Sequence, residues 1–365
     1  AVGMPVASAQ RSSVRGDPAS ASSRDWLLPI SQDSLRSPVE PADRKGATGL
    51  SMRRLGPSGR TSTVCTVNAA NPAGPPRGLE PKDRSVLGRI RNFRNQLSTA
   101  WGHPGNAGHR TKAISRVALF HAKAQVFHQR SCVPIGSHSK MWADRRFASS
   151  VELVLGNPPD WRYMQAWKSF LHPGTLFVDV GANVGLYSLW AADLGSAVIS
   201  VEPDPEARMA LEENAALNGY RFEIIPAALS REAGVLRFTR GRGAMNHLVS
   251  EDSREGVEVE VQTLDDVLGD RTAHGVKVDV EGAERLVLEG APRAIEQGRI
   301  PVMQLEWNWA SMRIFGEGRR VVAELLTSSG YEFYRPDENG QLQPTDQETL
   351  GGDVFAVLGP VEKQL

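Results

Sequence analysis

The sequence predicts an α/β fold, a mostly parallel sheet with helices on both faces, and three observations carry that reading. From residue 173 onward, short apolar runs dense in β-branched residues alternate with segments of helical period. Several of these runs end in an acid. One of them, Phe177-Val178-Asp179-Val180, breaks into the turn Gly181-Ala182-Asn183-Val184-Gly185 and leads into the helical Leu186-Tyr187-Ser188-Leu189-Trp190. Such a turn is expected to leave backbone N–H groups free at the helix N-terminus, and its glycines would let a ligand approach the main chain. Asp179 is costly in an apolar strand, so it is expected either to meet that ligand or to pin the loop.

Residues 1–80 are rich in Ser, Pro, Gly, Ala and Arg without a sustained apolar period, and are expected to stay unstructured. A Ser- and Arg-rich transit peptide has this composition, but Asp17, Asp25 and Asp33 speak against one. Residues 81–172 read as a basic helical and hairpin extension. Within it, 85–101 and 112–130 carry helical spacing, 131–155 reads as a small hairpin region, and 163–171 as a short helix stopped by His172-Pro173-Gly174.

Residues 173–365 are expected to hold the sheet. After the glycine turn, 197–202 reads as a second strand ending in Glu202, and 205–218 as a helix with Pro at its start and Asn-Gly at its end. The third strand is placed at 222–226. The alternating stretches 235–239 and 257–262 read as hairpin-like strands around the Gly/Arg loop 240–247. A fourth core strand at 275–280 runs into a helix to 290, and a fifth occupies 302–306. A helix at 318–329 precedes the last two strands, 331–335 and 353–358.

The formal net charge of +0 hides a polarised chain. Residues 82–147 carry 13 Lys+Arg against 2 Asp+Glu, whereas 148–365 carry 19 against 34. The basic segment is expected to form helices that pack on the body and solvate their charged faces. It contains no zinc-finger, RRM or basic-zipper pattern, so nucleic acid is not an expected partner. With 40% hydrophobic residues the composition suits a soluble globular core. No run of roughly 18 apolar residues predicts a membrane span, and no basic and apolar leader opens the sequence. Cys65 and Cys132 show neither metal-ligand spacing nor a disulfide framework, which points to a reducing, cytoplasmic setting. Oligomeric state is not legible.

The dinucleotide fingerprint is G-x-G-x-x-G, whereas this turn is G-x-x-x-G with an acid two residues before its first glycine. A pyrophosphate beside Asp179 would be repelled, and a sulfonium attracted. Electrostatics therefore favours S-adenosylmethionine (SAM) over NAD. Glu202 lies about 20 residues past the turn, the offset at which an acid reaches ribose hydroxyls in nucleotide-binding α/β folds.

Five blocks, in order, make a resemblance specific: Phe-Val-Asp-Val-Gly-Ala-Asn-Val-Gly at 177–185, Val-Glu-Pro-Asp-Pro at 201–205, Thr-Leu-Asp-Asp at 263–266, Lys-Val-Asp-Val-Glu-Gly-Ala-Glu at 277–284 and Leu-Glu at 305–306. Together they resemble the FkbM family of SAM-dependent methyltransferases over roughly 173–359, with a similar lead-in at 159–164. The resemblance implies a class I methyltransferase, Rossmann-like sheet of seven strands, and a family that mostly O-methylates hydroxyls of polyketides, sugars and related metabolites. By position it implies that Asp179, Gly181, Asn183 and Gly185 form the methionine-end loop and that Glu202 meets the ribose. Pro203 and Asp204 would flank the adenosine, with Ala227 near adenine.

Methyl transfer is an in-line displacement, so holding the acceptor oxygen in line supplies much of the catalysis. A hydroxyl also benefits from a base. Asp279 and Glu281, at the end of the fourth strand, are the leading candidates. Lys277 shares their side of the sheet but lies deeper, and His247 in the Gly/Arg loop is an alternative base. Asp279, Glu281 and Glu284 also have the oxygen chemistry to hold a divalent cation, although Glu284 fits equally as a first-turn helix residue. Glu306, Trp307 and Trp309 are placed to meet a sugar face or to pack. A small hydroxylated acceptor is the expected partner. Two alternatives stay open: a non-catalytic SAM-binding or partner-binding protein docking through 82–147, and an NAD-dependent oxidoreductase.

Overall fold

The computed structural model describes residues 86–126, 129–238, 257–307, 319–346 and 352–364, all within the unit Arg77–Leu365. The expectations for 1–80 and for the loop 240–247 lie outside the described residues.

Helices α1 (Val86–Gly102) and α2 (Arg110–Val126) pack on each other, with the Phe93 and His121 rings edge-on at 4.9 Å. Strands β1 (Ser131–Ile135) and β2 (Ser139–Ala143) then form an antiparallel hairpin. Alternation turns Val133, Ile135 and Met141 inward and Cys132 and Lys140 outward. The hairpin expected through 155 ends at 143, because Ala148–Leu155 is a helix, α3. Its Ser150 side chain is buried, donating to the Asp144 and Phe147 carbonyls and accepting from the Asp144 amide. Helix α4 (Trp161–Trp167) follows.

The sheet begins with β3 (Leu176–Val180), α5 (Leu186–Asp193), β4 (Ala197–Val201), α6 (Pro205–Leu217) and β5 (Glu223–Ile225). Next come β6 (Ala227–Leu229), β7 (Gly234–Phe238), β8 (Val257–Gln262), α7 (Leu264–Leu268), β9 (Gly275–Val278), α8 (Glu284–Glu289), α9 (Pro292–Glu296) and β10 (Val302–Leu305). The chain closes with α10 (Arg320–Ser328), β11 (Tyr331–Pro336), β12 (Leu342–Pro344) and β13 (Val354–Leu358). The main sheet has the order β12-β11-β13-β10-β9-β3-β4-β5. Its five strands from β10 to β5 are parallel, and β13 runs antiparallel to both neighbours.

Seven of these strands are those expected. The eighth, β12, pairs only with β11 at the edge, where Pro344 is tolerated. Ala227–Leu229 leaves the main sheet to join β8 and β7 in a separate three-stranded sheet. Successive residues of the central strands are buried on opposite faces, which is why these strands read as unbroken apolar runs. Phe177 and Phe355 join Trp167, Leu189 and Trp190, and the extension's Val133, Ile135 and Leu153 belong to the same cluster. Val178, Val276 and Met303 pack on the other face with Leu264, Val287 and Leu326. No helix among the described residues is long and apolar enough to cross a membrane.

Candidate active site

From β3 the chain winds outward through β4 and β5, then returns to lay β9 and β10 on the other side. The carboxyl ends of β3 and β9 therefore part at a topological switch point, where open α/β sheets form their crevices. A cavity open to solvent lies there. The structure brings Gly181, Asn183, Glu202, Pro203, Asp204, Ala227, Asp279 and Glu281 together in its lining. Asp179 and Gly185 are not in that lining, and His247 lies outside the described residues.

The amides of the turn itself are taken within the protein. Gly181 and Ala182 both donate to the Val201 carbonyl at 3.0 Å, Asn183 donates to Glu202 Oε2 at 2.7 Å, Val184 to Asn183 Oδ1 at 2.8 Å, and Gly185 to the Ala182 carbonyl at 2.8 Å. The glycines serve close packing instead. Gly181 has φ +79, and a Cβ there would collide with the Asp279 carbonyl oxygen, so the turn lies directly against the end of β9. A Cβ on Gly185 would strike Leu211 of α6.

Asp179 pins α5 to the sheet: its Oδ2 accepts from the Ser188 hydroxyl at 2.6 Å, and Ser188 also shares a hydrogen bond with Ser200 at 2.8 Å. Burial raises the Asp179 pKa, opposed by Lys277 and Ser188. Glu202 is only 6% exposed. Its Oε2 takes the Asn183 amide and its Oε1 the Asp204 amide at 2.8 Å. Burial outweighs these two donors and pushes its pKa up to about 7. A carboxylate has about four acceptor positions, so two stay available to a ligand. Asp204 accepts from the Glu206 amide at 2.8 Å and caps α6.

Across the cavity, Asp279 Oδ2 accepts from Lys277 Nζ at 2.6 Å. Glu281 sits in the left-handed region at φ 54, an uncommon conformation for a glutamate. Oxygens of Asp279, Glu281 and Glu306 lie within 4.8 Å of one another. Burial, then the neighbouring Asp279, Glu281 and Glu284, push the Glu306 pKa well above the usual carboxylate range. Glu284 turns back to accept from the Gly282 amide at 3.1 Å at the start of α8, its first-turn role. Trp307 is buried beside Phe333, with the Arg319 guanidinium 5.4 Å from its ring centre. Trp309 lies outside the described residues.

Phe147, from the extension, forms part of the wall, a role with no signal in the sequence because only tertiary packing carries it there. Ala228 and Leu229 also line the cavity, and their signal was adjacency to Ala227. No lysine or arginine occurs among the described lining residues, whose charged members are Glu202, Asp204, Asp279 and Glu281. Apolar walls, a carboxylate with spare acceptor positions and an excess of negative charge fit a cationic nucleoside. They are poor company for a pyrophosphate.

Residues 179–333 match the methyltransferase FkbM domain. The chain is 30% identical over 161 residues to 31-O-demethyl-FK506 methyltransferase FkbM of Streptomyces tacrolimicus, an alignment covering 34% of this chain and 62% of that protein. Among solved structures, it is similar to precorrin-6y C5,15-methyltransferase from Geobacter metallireducens, with TM-score 0.34 and 12% identity over 61% of this chain and 98% of that one. It is also similar to a TehB-like SAM-dependent methyltransferase from Corynebacterium glutamicum, with TM-score 0.31 and 12% identity over 54% of this chain and 87% of that one.

Proposed function

We propose that the chain, whose residues 179–333 match the methyltransferase FkbM domain, methylates a hydroxyl of a small sugar, glycan or polyketide-type acceptor with SAM as donor. The observation that carries this is a single cavity with Glu202 on one wall and Asp279 and Glu281 on the other. The relative's name places its methyl group on an oxygen of FK506, which supports an oxygen acceptor here.

Bound SAM supplies an electrophilic methyl group on a positively charged sulfur. Glu202 would receive the ribose hydroxyls on its spare lone pairs, and Pro203, Asp204 and Ala227 would bound the adenosine. Phe147 and Leu229 exclude water from that end. Asp279 takes the proton of the acceptor hydroxyl as its oxygen becomes the nucleophile. Glu281 orients the acceptor. A cytoplasmic setting, expected from the cysteine pattern, belongs to the same proposal.

Calorimetric titration with SAM and with NAD tests the donor, and a screen with methyl-labelled SAM against hydroxylated sugars and polyketides tests the acceptor. Saturable SAM binding with label passing to an oxygen is the expected result. Saturable NAD binding without SAM binding would sink the proposal.

A further inference from the structure

A row of polar side chains crosses the middle of the sheet. Backbone register sets Ser200 beside Asp179, Asp179 beside Lys277 and Lys277 beside Gln304 on four neighbouring parallel strands. All four are buried. Polar groups in such an interior are costly unless partnered, and here the partners come from above the sheet. Ser188 serves Asp179 and Ser200. Gln304 Nε2 donates to Asp353 Oδ2 at 2.6 Å and to the Tyr187 hydroxyl at 3.1 Å, while its Oε1 accepts from Trp167 Nε1 at 2.5 Å.

Lys277 stands at the centre of this row. Its ammonium lies 4.6 Å from the centre of the Tyr187 ring and donates to Asp279 Oδ2 at 2.6 Å. That bond leaves the row for the cavity: the Lys277 side chain is 5% exposed and that of Asp279 40%. A buried ion pair is weak evidence for stability, since apolar residues of the same volume do as well or better. Its geometric consequence is the stronger one. The sheet fixes the ammonium, and the ammonium fixes one carboxylate oxygen.

We propose that Lys277 is the positioning residue of Asp279, holding Oδ2 so that the other carboxylate oxygen faces the acceptor. This rests on Asp279 acting as the base. An ammonium is a compact point donor, whereas a guanidinium is a planar fork, so Lys277→Arg keeps the buried charge and misplaces the donor. Lys277→Met removes both.

The test is the crystal structure of each variant with S-adenosylhomocysteine added, alongside SAM titration and turnover of the best acceptor from the hydroxylated panel. In both variants the Asp279 carboxylate is expected to shift by roughly 1 Å or more, with kcat down by at least about tenfold and SAM Kd and acceptor KM within about threefold. An Asp279 carboxylate unmoved in either variant would overturn the proposal. Loss of SAM binding in both would overturn it as well, because the lysine would then hold the sheet instead of the carboxylate. Asp279→Asn with wild-type kcat would remove the base, a separate failure, since the crystallographic shift is read without any turnover.

Discussion

Burial that pushes Glu202 up to about 7 leaves it partly protonated in the free protein near neutral pH. Ribose hydroxyls donate best to the ionised form, so binding favours deprotonation and releases a proton. SAM Kd should therefore be constant well above pH 7 and rise toward tenfold per unit below it. Glu202→Gln should raise Kd by about 10–100-fold, in line with one or two lost bonds to a charged acceptor, and flatten this dependence. Calorimetry across pH 5.5–8.5 checks both, and a flat wild-type Kd would take Glu202 off the ribose. Asp279→Asn should lower kcat by about 10²–10⁴-fold with SAM Kd nearly unchanged. Glu281 has a different liability, since a left-handed glutamate costs roughly 1–2 kcal/mol that a glycine does not. Glu281→Gly should raise Tm and lower turnover together; lower Tm would mean that the side chain stabilises the fold.

The glycine turn acts as an element because its two glycines face different neighbours. Gly181 abuts the Asp279 backbone carbonyl just past β9, which cannot rotate away, whereas Gly185 abuts a leucine side chain, which can. Gly181→Ala should weaken SAM binding more than tenfold and lower Tm, while Gly185→Ala should act mainly on Tm; the reverse order of SAM affinities would contradict these placements. The turn itself was legible, because an apolar β-branched run breaking into two glycines has few other outcomes. What its amides bind was not, since the Val201 carbonyl arrives from another strand. Glu202 and Asp279 were legible as acids ending buried strands. Phe147 was hidden, being one aromatic residue more than thirty positions before Gly181. β6 and β12 are three residues each, too short for alternation to register, and β6 was further obscured by following β5 after Pro226 alone.

At the scale of the whole body, attraction between a basic extension and an acidic sheet domain competes with packing as the force that joins them, and the contacts favour packing. Arg130 pairs with Glu213 and Arg146 with Glu206, but these are exposed pairs worth about 0–1 kcal/mol each and screened by salt. Backbone bonds hold the β1–β2 hairpin more firmly. Asp193 at the end of α5 accepts the amides of Ser137, His138 and Ser139, each at 2.7 Å. Asn218 takes the Lys140 amide and donates to its carbonyl, both at 2.7 Å, and Asn214 takes the Trp142 amide at 2.9 Å. Behind them the hairpin shares a hydrophobic cluster with the sheet. Raising NaCl from about 50 to 500 mM should accordingly move Tm by less than about 2 °C. Asp193→Asn removes the charge and turns its NH₂ group toward at least one of the three donors, and should cost about 2–3 kcal/mol, a Tm drop of roughly 5–10 °C for a body of this size. Because Phe147 enters the cavity only a few residues beyond the hairpin, the same variant should also weaken SAM binding. Calorimetry of wild type at both salt concentrations, beside the variant, decides between these forces: a salt-induced loss larger than that of Asp193→Asn would mean that ion pairs dock the extension.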